Sequence, residues 1–355
     1  MIADENLRRP IMINEGQYLE MLMGPIGIVL PLAVIWSFYY GIRRSRHRQP
    51  VQPEAMEEAA AQAGIEESGA IAPLPAIHAW EAPISEEDFD LIREIARSHA
   101  GIVIADFKRN MVFRRVSKRL RELNLNTISE YCAILTGPNG GQEIEPLINA
   151  LTTNKTDFFR EAHHFDNMEK IALPKLRAQA KVAGQRRLRI WSAGCSSGEE
   201  PYSIAMTLAD SIRDLHHWDA RILATDIDTE TLKKGAAGVY DIRDSKSIPA
   251  AMRSKYVRTM PADKTRCSMS QLLRSLVTFK PLNLLDPWPM KGPFDIVFCR
   301  NVVIYFSKDT QRDLFDRFAE LIRIGGFLYI GHSESLYKVS NRFKIAGQSI
   351  YQRVR

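Results

Sequence analysis

Cysteine is scarce in this sequence, and its positions show no metal or disulfide pattern. The 355 residues include four cysteines, which lie far apart and form no C-x-x-C pair: Cys132, Cys195, Cys267 and Cys299. This spacing argues against a zinc site and predicts buried or loop thiols in a reducing compartment. The sequence also has no internal repeat. Around the adjacent histidines at 163–164 and 216–217, no carboxylate recurs at ligand spacing, so we expect no metal there.

Neither charge nor composition demands an unusual partner. The formal net charge is +6, with 45% hydrophobic and 25% charged residues, which is enough for two domains with their own cores. A moderate positive charge is compatible with an acidic protein or an anionic membrane face. Nucleic-acid binding is disfavoured, because the basic residues are not interleaved with exposed aromatics and no binding module is recognisable.

Residues 21–42 contain no charged side chain. A helix of this length would measure about 33 Å, sufficient to cross a bilayer core. Four arginines follow it within 43–48, whereas acidic residues precede it, which places the following part on the cytoplasmic side of the inner membrane. We therefore predict a transmembrane helix over 21–42 within an N-terminal segment 1–48. A cleaved signal peptide and a misassigned start codon are the alternatives.

The sequence changes from a linker to a helical region near residue 84. Residues 49–83 are rich in Ala, Glu and Pro, which is typical of a disordered linker. Ser85 and Asp88 then have the spacing of a helix cap. A basic amphipathic helix is predicted over 108–123, with an apolar stripe of Val112, Val116, Leu120 and Leu123. Shorter helices are predicted around 129–135 and 143–151.

Three later segments indicate strands of a parallel sheet with a ligand at its carboxyl edge. The first runs through 188–191 into a small-residue loop at 193–198, which is suited to cradle a nucleotide. The second ends at Asp226, where a carboxylate can meet ribose hydroxyls. The third, 294–299, leads into polar residues at Arg300, Asn301 and Tyr305. The G-x-G-x-x-G fingerprint is not met, so the cradle alone is weak evidence.

These segments, together with three further blocks, closely resemble the chemotaxis receptor methyltransferases of the CheR family. The blocks are TTNKTDFFREAHHF at 152–165, NLLD at 283–286 and GGFLYIGHSES at 325–335. The resemblance covers 84–354. It implies an α/β fold with a small all-α domain over 84–160 and a class I, Rossmann-like methyltransferase domain over 161–355. A small antiparallel β insertion is expected within 248–279.

The resemblance also implies a site for S-adenosylmethionine and an acceptor glutamate, with no metal. Asn154 and Thr156 offer polar groups to the amino acid end of the cosubstrate, and Arg160 offers a guanidinium suited to a carboxylate. The other cosubstrate-binding candidates are Glu199, favoured by position over Glu200, and Asp226, Asn283, Leu284, Arg300 and Asn301. Arg160 and Tyr305 are the catalytic candidates, expected to orient the acceptor carboxylate. No general base is required, because that carboxylate is already anionic near neutral pH.

The function implied is methylation of glutamate side chains on chemoreceptors for sensory adaptation. The basic helix 108–123 is expected to face the receptor's acidic helical bundle. Two alternatives remain: a membrane-anchored, non-catalytic signalling adaptor that retains the cosubstrate fold, and a methyltransferase with another acceptor. Family members that grip a receptor's C-terminal pentapeptide carry a glycine-containing turn in the insertion. This sequence has no glycine between Gly238 and Gly292, which disfavours such tethering.

Overall fold

The computed structural model describes residues 84–337 and 339–355. The predicted transmembrane helix 21–42 and the predicted linker 49–83 lie outside these residues. Within the described ranges, no helix combines the length and the apolar character needed to cross a membrane.

Four helices pack around one apolar core at the start of the described chain. They are α1 (Glu86–Ala100), α2 (Arg109–Glu122), α3 (Ile128–Thr136) and α4 (Gly140–Leu151). The predicted cap is confirmed, because the Ser85 hydroxyl oxygen accepts the Asp88 amide at 3.0 Å. Three residues of the predicted stripe on α2 are fully buried: Val112, Val116 and Leu120. The predicted all-α domain therefore has a core of its own.

The rest of the chain builds a seven-stranded sheet with helices on its faces. Strands are numbered along the chain, and β3 to β5 belong to a second sheet described below. The strands of the main sheet are β1 (Arg187–Ala193), β2 (Asp219–Asp226), β6 (Val277–Pro281), β7 (Phe294–Cys299), β8 (Ile322–Ile330), β9 (Phe343–Gly347) and β10 (Ile350–Arg353). The spatial order is β6-β2-β1-β7-β8-β10-β9, and only the pairings of β10 with β8 and β9 are antiparallel. The predicted Rossmann-like α/β architecture is confirmed.

Further helices precede the first strand of this sheet or connect its strands. A continuous helical stretch precedes β1, formed by α5 (His163–Asn167), a π-helical turn (Met168–Ala172) and α6 (Leu173–Val182). The crossovers contain α7 (Glu199–Ser211), α8 (Thr229–Ala237) and α11 (Lys308–Leu321). Phe158 already belongs to the core of the sheet, whereas Leu151 closes the core of the helical domain. Packing therefore changes from one core to the other within the last residues of the predicted 84–160 domain.

A second, three-stranded antiparallel sheet lies between α8 and β6. It consists of β3 (Val239–Asp241), β4 (Val257–Thr259) and β5 (Arg266–Met269), with α9 (Ala250–Tyr256) and α10 (Gln271–Leu276). The predicted range 248–279 is wrong at both ends. The sheet begins with β3 at residue 239, and Val277 to Phe279 pair with β2 in the main sheet.

The strand order creates a switch point between β1 and β7. From β1 the chain proceeds to β2 and β6 on one side, and it then returns to β7 and β8 on the other. The loops that follow β1 and β7 therefore diverge and leave a crevice at the carboxyl edge of the sheet. Open α/β sheets bind ligands at this place.

Candidate active site

A cleft opens at this switch point. It is lined by nine of the ten residues nominated from the sequence: Asn154, Thr156, Arg160, Asp226, Asn283, Leu284, Arg300, Asn301 and Tyr305. Ala100 and Ile102 from the end of α1 also line it, so the helical domain contributes one wall. Glu199 is the nominated residue that does not line the cleft, and Glu200 lines it instead.

The loop Gly194–Gly198, which we call the cradle loop, is pinned to β2. The amides of Gly194 and Cys195 both donate to the Thr225 carbonyl oxygen, at 2.8 and 2.9 Å. Gly194 has a φ of +80°, and a Cβ there would lie 2.2 Å from Val302. Only glycine therefore lets the loop approach the segment after β7 this closely.

Asp226 ends β2 and orders the cradle loop as well as lining the cleft. Its carboxylate accepts the amides of Ser196 at 2.7 Å and Asp228 at 3.0 Å, and burial raises its pKa. Each carboxylate oxygen has a second lone pair, so the group can still accept hydrogen bonds from a ligand. The neighbouring Asp228 cannot replace it, because its carboxylate caps α8 and accepts from Thr152 and Asn154.

The two adjacent glutamates at the start of α7 point to different surroundings. The Glu199 carboxylate accepts the Ser197 hydroxyl at 2.8 Å, outside the residues that line the cleft. The Glu200 carboxylate accepts the Ser192 hydroxyl at 2.7 Å and pairs with Arg300 at 3.0 Å. Of the two, Glu200 lines the cleft and Glu199 does not, which differs from the preference for Glu199 based on its position in the sequence.

Arg300 forms the charged floor of the cleft. It is 6% exposed and lies 3.0 Å from Glu200 and 3.3 Å from Glu161. Burial raises the pKa of Glu200, because it outweighs the nearby positive charge. Burial also acts to raise the pKa of the more exposed Glu161, but the hydrogen bond from His332 and the charge of Arg300 lower it to about 2. Glu161 thus stays ionised beside Arg300.

Glu161, His163 and His164 lie close enough together to suggest a metal site, contrary to the expectation from sequence. Their donor atoms are within 4.8 Å of one another. However, Glu161 already pairs with Arg300 and accepts from His332 Nδ1 at 2.8 Å. A divalent cation would lie beside the Arg300 guanidinium and would be repelled by it. The ion pair with Arg300 accounts for Glu161, and we assign no metal to the cluster.

Arg160 projects from a strained turn at the rim of the cleft. The residues on either side, Phe159 and Glu161, have φ values of 56° and 57°, which non-glycine residues rarely adopt. The turn is held because Ser203 Oγ accepts the Phe159 amide at 3.0 Å and Arg300 donates to the Arg160 carbonyl. One guanidinium nitrogen of Arg160 donates to the Lys155 carbonyl at 3.0 Å. The remaining donors are available to a ligand.

Tyr305 lies at the same rim, in a 3₁₀ turn (Val303–Tyr305) after β7. Its carbonyl oxygen accepts the Val103 amide at 2.9 Å, so the segment after α1 fixes this turn. Its hydroxyl makes no hydrogen bond to any residue within 84–337 and 339–355. The hydroxyl is therefore free to donate to an acceptor in the cleft.

The other nominated residues form the walls. The Asn283 side chain donates to the His99 carbonyl at 2.7 Å and accepts the Leu285 amide, and Leu284 is buried beside it. Asn301 has a φ of 58°, held by Glu334, which accepts its amide at 3.0 Å. Sequence reasoning missed Glu161, Ser203 and Glu334, since each acts on a site residue through a long-range contact that no local pattern reveals.

Two family models match this chain: "CheR methyltransferase, SAM binding domain" over residues 154–352, and "CheR methyltransferase, all-alpha domain" over residues 87–152. A probable chemotaxis protein methyltransferase of Rhizobium etli is 42% identical, over 67% of this chain and 88% of that protein. The chemotaxis protein methyltransferase of Klebsiella aerogenes is 39% identical, over 83% and 98%. That of Escherichia coli is 40% identical, over 76% and 91%.

Proposed function

Because this chain belongs to the CheR methyltransferase family, we propose that it methylates glutamate side chains of chemoreceptors with S-adenosylmethionine. The observation that carries the proposal is the cleft at the switch point, with an arginine between two carboxylates at its floor and Arg160 with Tyr305 at its rim. The product would be a γ-glutamyl methyl ester, formed for sensory adaptation.

The residues of the cleft fit the cosubstrate. Asp226, at the end of β2, has lone pairs for ribose hydroxyls, and the cradle loop lets backbone approach a ligand closely. Glu200 offers a carboxylate for an ammonium group, and Arg160 offers a guanidinium for a carboxylate. Leu284 and Asn283 provide an apolar wall and a polar edge for a base. When bound, the cosubstrate supplies a methyl group on a positively charged sulfur.

Arg160 and Tyr305 would hold the acceptor. A glutamate carboxylate can accept from the free donors of Arg160 and from the Tyr305 hydroxyl. Esterification of an ionised carboxylate by a sulfonium methyl transfers no proton, so these residues need only align the reacting oxygen. Arg160 and Tyr305 should position the acceptor carboxylate without binding it strongly, because strong binding of the ground state would not raise turnover.

Incubation of purified protein with methyl-labelled cosubstrate and membranes containing chemoreceptors tests this proposal. We expect base-labile label on the receptor, as a glutamyl ester requires. Label on another protein or on RNA would favour a different acceptor. Cosubstrate binding with no label on any macromolecule would favour the non-catalytic adaptor.

We also propose that the receptor contacts the outer face of α2. Arg114, Lys118 and Arg121 are exposed and lie on one side of the helix. Arg115 and Arg119, which also belong to the predicted basic helix 108–123, point inward. Arg115 donates to the Thr152 carbonyl and the Thr153 hydroxyl, both at 2.8 Å, and Arg119 pairs with the buried Glu143 at 2.8 Å. The surface for an acidic bundle is therefore formed by the first three residues.

A membrane anchor over 21–42 is a further proposal, supported by the hydropathy of that segment and the arginines after it. The catalytic part would then lie at the cytoplasmic side of the inner membrane. Full-length protein should sediment with membranes and resist alkaline carbonate, whereas a truncation beginning at Ile84 should be soluble and active. Native full-length protein in the soluble fraction would contradict the anchor.

We propose that recruitment does not use a receptor pentapeptide. The turn between β4 and β5 contains no glycine. Receptor methylation should therefore be insensitive to an added free pentapeptide. Competition at micromolar peptide would contradict this proposal.

A further inference from the structure

Tyr240 lies on β3, in the small antiparallel sheet, yet its side chain reaches the cradle loop. The hydroxyl donates to the Ser197 carbonyl oxygen at 2.8 Å, and the residue is 5% exposed. We propose that Tyr240 is a positioning residue that holds the cradle loop in the conformation that binds S-adenosylmethionine. This inference rests on the cosubstrate site proposed above.

The cradle loop needs such support because its backbone is strained. Ser196 has a φ of 49°, which costs a non-glycine residue free energy unless its surroundings fix it. Asp226 accepts the Ser196 amide on one side, and the Asn154 carbonyl accepts the Ser196 hydroxyl at 3.1 Å on another. Neither contact restrains the Ser197 peptide. The amide of the Ser197–Gly198 peptide donates to the Cys195 carbonyl oxygen within the loop, at 3.1 Å. Tyr240 supplies the hydrogen bond to the carbonyl oxygen of the same peptide from outside the loop.

The position of the Tyr240 hydroxyl is itself closely defined. A Cβ on Gly198 would lie 2.8 Å from this hydroxyl oxygen and 2.9 Å from the Gly235 Cα. The ring also packs edge-to-face on Phe158, with centroids 5.0 Å apart. Phe158 immediately precedes the turn that presents Arg160. One ring therefore supports both the cradle loop and the segment that carries the rim.

Burial, and then the nearby Glu199 carboxylate, raises the pKa of Tyr240 well above its usual value. The hydroxyl therefore remains a donor at any pH at which the enzyme works. Without it, the Ser197 carbonyl would lose a buried partner and the free loop would populate other conformations. Binding affinity falls in proportion to the loss of the competent conformation. We expect a three- to tenfold weaker affinity, typical of one lost hydrogen bond.

Tyr240→Phe removes only the hydroxyl, and Tyr202→Phe is its matched control. Tyr202 is also buried, and its hydroxyl donates to a backbone carbonyl, that of Gly235 in α8, at 3.0 Å. Both variants lose one buried hydrogen bond, but only the bond of Tyr240 is on the cradle loop. Titration calorimetry with S-adenosylmethionine should show weaker binding by Tyr240→Phe and wild-type binding by Tyr202→Phe.

Two further readouts separate positioning from simple stability. Turnover of Tyr240→Phe at saturating cosubstrate should equal that of the wild type, because Ser197 is not among the residues that line the cleft beside Arg160 and Tyr305. Amides of Ser196 to Gly198 should exchange with solvent faster in Tyr240→Phe than in Tyr202→Phe. Equal cosubstrate affinity in the two variants, or unchanged exchange, would overturn the inference alone. Wild-type protein that binds no cosubstrate would overturn the proposed function as well.

Discussion

At the floor of the cleft, Arg300 is almost fully buried and lies between the carboxylates of Glu200 and Glu161. At the rim, Arg160 and Tyr305 are only half-buried and make few side-chain contacts. The floor is thus assembled before any ligand arrives, whereas the rim keeps its donors available. A small cosubstrate is best bound by preorganised charges. A macromolecular acceptor is better served by an open rim that a bulky partner can reach.

Removing one arginine from the floor and one from the rim tests this difference most directly. Arg300→Met should lower the free energy of unfolding by about 3–5 kcal/mol, because it leaves two carboxylates without their buried partner. Arg160→Met should change it by less than about 1 kcal/mol, as is usual for a partly exposed cation. Urea unfolding measures both.

The double variant Arg300→Met with Glu200→Gln is the control for the floor. It should recover part of the loss, because one of the stranded charges is removed with the cation. Equal destabilisation by the two single variants would contradict the proposed difference between floor and rim.

A second test measures how the stability of the floor changes as the pH is lowered. Burial, then Arg300, lowers the pKa of His164 from 6.5 to about 3. Between these values the unfolded chain binds a proton that the folded protein does not, so stability should fall as the pH falls. From about pH 6.5 to pH 5, the loss attributable to His164 should be roughly 2 kcal/mol.

His164→Phe isolates this contribution. It should remove the part of the pH dependence of stability that His164 causes. Burial raises the pKa of Glu200 and Asp226, which makes stability change with pH in the opposite direction, but this effect is the same in wild type and variant. Glu161 does not interfere, because its stabilising charge is lost only below about pH 4.5, toward its folded pKa of about 2. Urea unfolding at each pH measures the stability of both proteins. If wild type and variant show the same pH dependence of stability, His164 is not held neutral.

At the rim, Tyr305→Phe should leave folding and cosubstrate affinity unchanged while it lowers turnover about tenfold, which is about 1.4 kcal/mol of lost alignment. Arg160→Ala should cost more and should also weaken cosubstrate binding. Single-turnover methylation at saturating cosubstrate measures the effect. A wild-type rate constant for Tyr305→Phe would mean that the tyrosine only packs beneath the loop.

The smallest effect is expected outside the cleft. Arg114→Glu with Arg121→Glu should raise the KM for receptor several-fold and reduce its salt dependence, with kcat unchanged. The matched control is Arg177→Glu with Lys181→Glu, which makes the same charge change on α6, next to the amino edge of the sheet. An equal rise in KM for both variants would point to net charge rather than to the face of α2.

In two pairs of adjacent residues, the directions of the side chains could not be predicted from the sequence. Glu199 and Glu200 have the same chemistry and neighbouring positions, yet only Glu200 meets the cleft. On α2, Arg114 is exposed while Arg115 is bound to the backbone before Asn154. The surroundings of each side chain depend on which segments pack against its helix. Those segments are distant in the sequence, so the residues around each pair do not reveal them.

The cradle loop, the acid at the end of β2 and the polar residues after β7 could all be located from the sequence. Hydrophobic runs that end in small or polar residues mark strand ends, and parallel strands bring those ends to one edge. The start of α1 and the apolar stripe of α2 were equally local signals. The range of the insertion was predicted wrongly, because β6 pairs with β2 in the main sheet and sequence alone does not show which strand a segment joins.

The sequence by itself therefore determined the family, the α/β class and nine of the residues that line the cleft. Only the tertiary structure decided how the charges are paired. Arg300 and Glu200 are separated by 100 positions and meet because β7 lies beside β1 in the sheet. A buried charge is tolerated only with a partner at hydrogen-bond distance. That partner is chosen by strand order and helix packing, which arise when the whole chain folds.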